Sequence, residues 1–153
     1  MIGYGSKWPD PEKTSAVQQW PPLTSLAQVR SFLGFLTFVR PYIRDFSRIA
    51  TPLTQLTKKG VTFDMNHEQN KAFAQLKQAL ANEPVLRLPD FNRPFILYTD
   101  ASNVGTGAIL TQQFQDGLHP VAYASHKFNT TEQNYSTYEQ ELSAIVLAIR
   151  KFQ

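Results

Sequence analysis

Two acidic residues lie where hydrophobic patterning alone would not place them, and Asp100 is the first. It follows the apolar run of residues 95–99, and strand alternation puts its side chain on the same face as Ile96 and Tyr98. That run is apolar on both faces, which predicts a central strand covered on both sides. An unpaired carboxylate on a covered face is costly, so Asp100 should be paired, neutralised or bound to a cation.

The second acidic residue, Glu141, belongs to a helical pattern. At about 100° per residue it lies beside Tyr138, Leu142 and Ile145, at the margin of an apolar stripe. If this helix packs on the strand that ends at Asp100, the two carboxylates converge. Converging carboxylates without His or Cys favour Mg²⁺ or Mn²⁺, which support metal-assisted phosphodiester chemistry in nucleases. By pattern alone, an Asp at a strand end and a Glu on a helix are more often turn and surface residues.

Three helical segments are predicted in the first part of the chain. The first begins after Asp10, the second after Thr24 or Ser25, and the third covers residues 45–57 before a basic stop at residues 58–60. The second helix carries an apolar stripe at helical spacing, made of Leu26, Val29, Phe32, Leu33, Leu36 and Val39. The spacing therefore predicts a small helical unit.

Beyond this unit the periodicity changes from helix to strand. A fourth helix should begin at a capping box of Asn66 and Gln69. The predicted strands are residues 95–99, residues 105–114 and a third around 121–125. A last helix should begin at a second capping box, Ser136 with Glu139. Helices followed by consecutive strands predict an α+β fold with an antiparallel sheet.

Composition limits the classes of protein that remain. The chain has 153 residues, of which 42% are hydrophobic and 18% charged, and this is too apolar for a disordered protein. Cysteine is absent, which excludes disulfides and thiolate zinc sites. We expect an intracellular protein, cytoplasmic or nuclear, because the sequence contains neither a membrane-length apolar run nor a signal-peptide pattern at its start.

The net charge of +3 is distributed unevenly. Residues 1–60 contain eight basic and three acidic residues, whereas residues 61–153 contain seven basic and nine acidic ones. A basic helical segment suits contact with a nucleic-acid backbone. Arg40, Arg44 and Arg48 follow the second helix at a spacing that could track phosphates, and a solvated helix face is the alternative.

Three separated motifs carry a resemblance to a known family. They are PFILYTDASNVGTGAILTQQ at 94–113, HPVAYASHKF at 119–128 and NYSTYEQELSAIVLAIRKF at 134–152. In this order they closely resemble the RNase H-like domain of gypsy-type LTR retroelement Pol polyproteins. Upstream segments resemble the same family's reverse-transcriptase thumb or connection segment and the helix that leads into RNase H; these are residues 9–21, 31–35, 46–60 and 72–91.

The resemblance implies an organisation for the whole chain. Residues 1–60 would be the helical thumb or connection segment, 61–93 a linker helix with an extended segment, and 94–153 a truncated RNase H-like domain of three antiparallel strands plus helices. The implied lineage activity is hydrolysis of the RNA strand of an RNA/DNA hybrid. Such a hybrid, or another nucleic acid, is the implied partner.

The resemblance also assigns the acidic pair. Asp100 matches the family's first catalytic carboxylate and Glu141 the second, so both would be metal ligands for Mg²⁺ or Mn²⁺. The family's third and fourth carboxylates would lie beyond this helix, so we expect weak metal binding and leave open whether this chain is an enzyme. Ser102 and Asn103 are candidates for contacts to the RNA strand, with an Asx or Ser turn as the alternative.

Three functional hypotheses follow. The favoured one is part of a retroelement reverse transcriptase and RNase H that binds hybrid weakly and is inactive alone. The second is a domesticated, non-catalytic interaction protein, and the third is a nuclease completed by a partner chain. The sequence also predicts self-association, because the apolar strand at residues 95–99 would have an open edge.

Overall fold

The helical part of the molecule is built on capped helices. The computed structural model describes residues 2–3, 6–7, 9–81 and 86–153. Asp10 accepts a hydrogen bond from the Glu12 N–H at 3.0 Å, and the Ser25 hydroxyl accepts one from the Gln28 N–H at 3.3 Å. Such caps satisfy N–H groups that a first helical turn leaves free. The helices are α1 (Pro11–Gln18), α2 (Leu26–Leu36), α3 (Phe46–Leu56) and α4 (His67–Ala81).

These four helices confirm the predicted helical segments, with two local differences. α2 ends at Leu36 although its apolar stripe continues to Val39, because the chain turns into a 3₁₀ helix at Arg40–Tyr42 that contains Pro41. Val39 is buried all the same. The stripe therefore predicted burial correctly and the helix end incorrectly.

The capping box predicted for α4 is wrong. The Asn66 carboxamide oxygen accepts from the Glu68 N–H at 2.9 Å, but Gln69 does not reach back to it. Gln69 is instead buried, and its Oε1 has no hydrogen-bond partner among the residues that the structure describes. Because the Gln69 side chain is buried, it does not form the reciprocal half of the box.

A closed hydrophobic core joins the four helices. Its fully buried large side chains, each with no measurable exposure, are Val17, Val29, Phe32, Leu36, Leu53, Leu76 and Leu80. Phe32 contacts Trp20 and Phe73 edge-on, with ring centroids 5.4 and 4.9 Å apart. α4 thus packs as a full member of the helical unit, which here means α1 to α4.

Two antiparallel sheets complete the architecture. A small sheet, not foreseen from the sequence, has the order β1 (Ile2–Gly3), β2 (Ser6–Lys7) and β3 (Leu86–Arg87). The main sheet has the order β4 (Ile96–Ser102), β5 (Gly105–Phe114) and β6 (Gly117–Lys127), which confirms the three predicted strands.

Two helices follow the main sheet, α5 (Thr130–Gln133) and α6 (Thr137–Phe152). The predicted capping box of Ser136 and Glu139 is confirmed at the start of α6. We call β4 to β6 together with α5 and α6 the sheet unit. Across the described residues no helix is long and apolar enough to span a membrane.

The packing face predicted for α6 is wrong. Its buried residues are Gln140, Ala144 and Ala148, whereas the large side chains of the apolar stripe are exposed. The exposed members are Tyr138, Leu142, Ile145, Val146 and Ile149. Alanine at two successive turns lets the helix approach the sheet closely, and the larger side chains are turned away from that contact.

β4 is an edge strand of the described sheet, not a strand covered on both sides. Ile96 is 40% exposed and Tyr98 is 51% exposed, on the face that they share with Asp100. The alternation predicted from the sequence is therefore correct, but the covering layer is not there. The open edge predicted for residues 95–99 is confirmed.

A buried amide fastens the segment that leads into β4. The Gln112 Oε1 accepts from the Asp90 N–H at 2.9 Å, and its Nε2 donates to the carbonyls of Asp90 at 2.8 Å and Arg93 at 3.1 Å. Gln112 has no exposed surface. Its hydrogen bonds hold residues 90–93 against β5 and so fix where β4 begins.

Candidate nucleic-acid and metal site

Strand register fixes which face of the sheet carries Asp100. Asp100 is opposite Gly107 on β5, and Gly107 is opposite Ser125 on β6. Residues directly opposite in an antiparallel sheet point to the same face. The Ser125 hydroxyl is 3.0 Å from the Ser47 hydroxyl of α3, so this face is the one that α3 partly covers.

Asp100 borders a small recess between the start of α3 and the β4–β5 hairpin. The recess has a volume of about 20 Å³, room for about one water molecule. It is lined by Asp45, Arg48, Asp100, Ala101, Ser102, Gly105, Thr106 and Gly107. Asp100 itself is exposed. The recess therefore places one exposed carboxylate beside a second carboxylate and a guanidinium.

The second carboxylate, Asp45, is a site residue that sequence reasoning missed. It precedes α3 in a left-handed conformation, with φ 55°, and its side chain makes no capping bond. The carboxylate instead contacts the Arg48 Nη2 at 3.1 Å and lies 3.9 Å from the Arg44 Nε. A methyl group on Gly107 would overlap the Asp45 Oδ1, so any larger residue there would require the Asp45 side chain to move.

Glu141 lies on α6, which packs against the opposite face of the sheet. Thr106 and Ala108, the neighbours of Gly107 in β5, line a recess together with Ala144 and Ala148 of α6. Because side chains alternate along a strand, α6 and Asp100 are on different faces. Glu141 is exposed and is not among the residues that line the recess beside Asp100. The structure thus does not place the two carboxylates on one face, as packing of this helix on the strand was expected to do. Their role as metal ligands stays a prediction.

The donor set does not fit a two-ion centre. In the part of the chain that the structure describes, no three His, Asp or Glu side chains form a group that could hold a metal ion. Asp45 is the carboxylate that shares a recess with Asp100, and its charge is already balanced by Arg48 and Arg44. Mg²⁺ and Mn²⁺ need several oxygen ligands, so no hydrolytic step can be derived from these residues alone.

The three arginines predicted to track phosphates differ in what they contact. The Arg40 Nη2 donates to the Ser125 carbonyl at 2.6 Å and to the Ser47 hydroxyl at 3.0 Å, and burial lowers the pKa of its guanidinium. The side chains of Arg44 and Arg48 are 69% and 62% exposed. Arg40 thus ties the 3₁₀ helix and α3 to β6, whereas Arg44 and Arg48 are largely exposed. Contact of any of the three with phosphates stays a prediction.

The residues after Asp100 form a tight turn. The Ser102 hydroxyl donates to the Gly105 carbonyl at 3.1 Å, as the turn interpretation of this residue requires. Asn103 is exposed at the tip of the same turn. Contacts of these two side chains with an RNA strand stay predictions.

Comparison with known proteins places this geometry in a family. A model described as an RNase H-like domain found in reverse transcriptase matches residues 65–153. The retrovirus-related Pol polyprotein of the transposon gypsy from Drosophila melanogaster is 41% identical over 94% of this chain. The chain belongs to the reverse-transcriptase RNase H-like family. The sequence-based resemblance to gypsy-type retroelement polyproteins is thereby confirmed. This family member spans 15% of the length of the gypsy polyprotein.

Solved structures confirm the RNase H-like α+β fold of this family member. The foamy viral protease-reverse transcriptase in complex with dsDNA superimposes with a TM-score of 0.76 at 26% identity, covering 93% of this chain and 30% of that one. Its complex with an RNA/DNA hybrid superimposes with a TM-score of 0.74 at 26% identity, covering 93% of this chain and 19% of that one. Both matches extend through the helical unit and the sheet unit.

Proposed function

We propose that this chain is a nucleic-acid-binding part of a retroelement reverse transcriptase and RNase H. In this proposal the backbone of an RNA/DNA hybrid crosses the sheet face that carries Asp100. One observation carries the proposal: the exposed Arg48 and the exposed Asp100 border the same recess. The foamy viral relatives whose complexes contain dsDNA and an RNA/DNA hybrid support the class of ligand.

Electrostatics determines how the arginines would act. The Asp45 carboxylate holds the Arg48 guanidinium at 3.1 Å and so orients it at the recess. Arg48 therefore loses less side-chain entropy on binding a phosphate than an unrestrained arginine would. Contact with a phosphate releases counterions from the nucleic acid. Affinity should therefore fall as salt concentration rises, with a slope that reflects the number of phosphates neutralised.

Asp100 and Glu141 would contribute two of the carboxylates that a hydrolytic site needs. The ion would be Mg²⁺ or Mn²⁺, held weakly, because Glu141 lies on the other face of the sheet and an ion at Asp100 would keep most of its water. A two-ion hydrolytic site depends on several positioned ligands, and losing positioned groups commonly costs about 10²-fold or more in rate. We therefore expect binding without measurable hydrolysis from this chain alone.

The binding proposal is tested by anisotropy of a labelled RNA/DNA hybrid over a range of salt concentrations. Replacing Arg44 and Arg48 by Ala should reduce the slope of log K against log salt by about one unit for each phosphate that the variant no longer neutralises. Arg30 is exposed on α2 and does not line the recess, so Arg30→Ala provides the control for each single arginine substitution. Equal slopes in the wild type and the double variant would remove the arginines from the proposal.

Hydrolysis is tested on the same hybrid in Mg²⁺ and in Mn²⁺. No cleavage by the wild-type chain is the expected result. Cleavage that disappears in Asp100→Asn would overturn this expectation and favour a nuclease completed by a second chain. Cleavage that persists in Asp100→Asn would identify a contaminating nuclease.

A second candidate function, protein interaction, is favoured by the exposed apolar residues of α6 and by the open edge of β4. Unpaired strand edges and contiguous apolar patches are typical of surfaces that bind another chain. The expected result is self-association at tens of micromolar in sedimentation velocity, reduced by Leu142→Glu. A monomer over this range would contradict the interaction proposal without affecting the nucleic-acid proposal.

A further inference from the structure

Lys127 lies on the same face and near the same end of the sheet as Asp100. In the strand register, Lys127 of β6 pairs with Gly105 of β5, which pairs with Ser102 of β4. Two residues along, Ser125 pairs with Gly107, which pairs with Asp100. Lys127 follows Ser125 by two positions in β6 and so shares its face, the face that α3 partly covers. Although it is part of the sheet, Lys127 faces the helical unit.

The end of α3 brings a second lysine to the same place. The Lys127 Nζ donates to the Thr54 hydroxyl of α3 at 3.3 Å, and Lys58 lies four positions after Thr54, in the turn that follows the end of α3 at Leu56. Desolvation by burial and repulsion from Lys58 both lower the pKa of Lys127. Lys58 and Lys127 therefore carry the same charge at the same end of α3.

These lysines differ from the arginines beside the recess in one respect. Arg44 and Arg48 share the carboxylate of Asp45, whereas in the described residues neither Lys58 nor Lys127 forms an ion pair with an Asp or Glu. Two adjacent cations without a carboxylate between them create a positive potential that favours an anion. The chain itself supplies no anion for this position among those residues.

The distance from Lys127 to Asp100 suits two points along one nucleic-acid strand. Adjacent strands lie about 4.8 Å apart and each residue advances about 3.4 Å, so the Cα atoms of Lys127 and Asp100 are about 12 Å apart. Phosphates of one strand of a duplex advance about 3.4 Å along its axis per nucleotide. Because successive phosphates also rotate around the axis, they lie farther apart than this rise, and the two positions are only a few nucleotides apart.

We propose that Lys127 and Lys58 form a phosphate-binding site, and that it holds the same nucleic-acid strand whose backbone passes Asp100. The site is composite, because one lysine comes from β6 and the other from the end of α3. This inference rests on the proposed function, since it assigns a further contact to the same bound hybrid. It predicts that affinity is not confined to residues 1–60.

The first test measures hybrid binding by Lys127→Gln and Lys58→Gln over a range of salt concentrations. Each variant should reduce the slope of log K against log salt by about one unit and weaken binding roughly five- to tenfold at 0.1 M salt. Lys127→Arg should retain the wild-type slope, because it keeps the charge. Thermal unfolding of each variant shows whether the loss of the Thr54 hydrogen bond has disturbed the fold.

Lys151 provides the matched control, because it lies on α6 against the opposite face of the sheet. Lys151→Gln changes the net charge equally and should leave the slope unchanged. Equal weakening by Lys151→Gln and Lys127→Gln would show a general charge effect and overturn the composite site. A wild-type chain that fails to bind hybrid defeats the proposed function itself, whereas wild-type binding that is unchanged in Lys127→Gln defeats only this inference.

A second test uses the absence of cysteine from the chain. Single-cysteine variants Lys58→Cys, Lys127→Cys and Lys151→Cys are labelled with a photoreactive azide and crosslinked to the hybrid. Positions 58 and 127 should crosslink to one strand within a few nucleotides of each other, and position 151 should not crosslink above background. Crosslinks from 58 and 127 to different strands, or equal crosslinking from 151, would contradict a shared phosphate site.

Discussion

The helical unit and the sheet unit bury their apolar residues to very different extents. In the helical unit Phe32, Leu53 and Leu76 have no exposed surface, and the core closes on all sides. In the sheet unit Leu142 and Ile149 are about half exposed, at 50% and 49%, and β4 has an open edge. Helices with one apolar stripe each can close a core among themselves, whereas an open sheet with one helix on each face cannot. Stability should therefore reside mainly in the helical unit.

The largest expected effect tests this difference directly. Phe32→Ala should lower the free energy of unfolding by about 3–5 kcal/mol, because it removes a fully buried ring and leaves a cavity. Leu142→Ala in the exposed stripe of α6 should change it by about 0.5 kcal/mol or less. Urea unfolding of both variants measures the difference. Similar losses in the two variants would mean that the exposed stripe is covered in solution.

Within the sheet unit the strongest dependence should be on Gln112. Gln112→Leu removes three hydrogen bonds and leaves the Asp90 N–H and the Arg93 carbonyl without the partner that Gln112 provides, at an expected cost of about 1–3 kcal/mol. The neighbouring Gln113 is exposed, so Gln113→Leu should cost less than about 0.5 kcal/mol. The same urea experiment applies. If both variants retain wild-type stability, the buried amide does not fix residues 90–93.

Two glycines should respond with opposite signs. Gly107→Ala should destabilise by about 1–3 kcal/mol, because the added methyl group overlaps the Asp45 carboxylate. Gly34→Ala in α2, where an added methyl group meets nothing within 4 Å, should stabilise by about 0.5–1 kcal/mol.

A second substitution isolates the cause of the Gly107 effect. Asp45→Gly removes the carboxylate and accepts the left-handed backbone, so it should recover part of the stability lost in Gly107→Ala. Differential scanning calorimetry of the single and double variants gives the coupling between the two positions. Additive losses would show that the two side chains do not meet.

The smallest expected effect is that of low pH on the stability of the sheet unit. Hydrogen bonds from the Ser136 N–H and hydroxyl lower the pKa of Glu139, and bonds from the Asn92 N–H and Arg93 lower the pKa of Asp90. For Glu132, burial raises the pKa, but hydrogen bonds from the Asn129 N–H and His126 outweigh it and lower the pKa overall. These carboxylates all belong to the sheet unit or to the segment that leads into it.

A lowered pKa in the folded state has a defined sign. The stabilisation is fully present above the unfolded pKa, near pH 4–4.5, and is lost as pH falls through the lower folded pKa. The difference in free energy of unfolding between the wild type and Glu139→Gln should therefore shrink between pH 6 and pH 3. Urea unfolding at each pH measures this difference. A difference that does not depend on pH would exclude the carboxylate of Glu139 as its origin.

Most of the secondary structure could be predicted from the sequence, because local signals determine it. Caps at Asp10, Ser25 and Ser136 and the periodicity of each segment located the helices and the main sheet. The capping box at Asn66 failed because the tertiary environment buried Gln69. The small sheet could not be predicted, since strands of two residues carry too little pattern.

Which residues meet at the site was harder to predict than the elements. The periodicity of the sequence predicted that α6 packs on the sheet through its large apolar residues. In the structure α6 packs through Ala144 and Ala148, because small side chains allow a closer approach. Asp45 and Lys127 were missed because neither lies in an unusual pattern, and only the packing of α3 on the sheet brings them to their positions. The Gly105-x-Gly107 spacing was the available signal that another group approaches β5.

The small sheet has a consequence for the order of folding. It pairs Ser6 with Arg87 and Lys7 with Leu86, so its hydrogen bonds close a loop that contains the whole helical unit. Closing a loop of this length costs conformational entropy, and a few backbone hydrogen bonds do not offset that cost until the enclosed helices have packed. The β5–β6 hairpin, by contrast, is joined by a short turn and needs no distant partner. We therefore expect the pairing of β2 with β3 to form last during folding and to break first, before global unfolding.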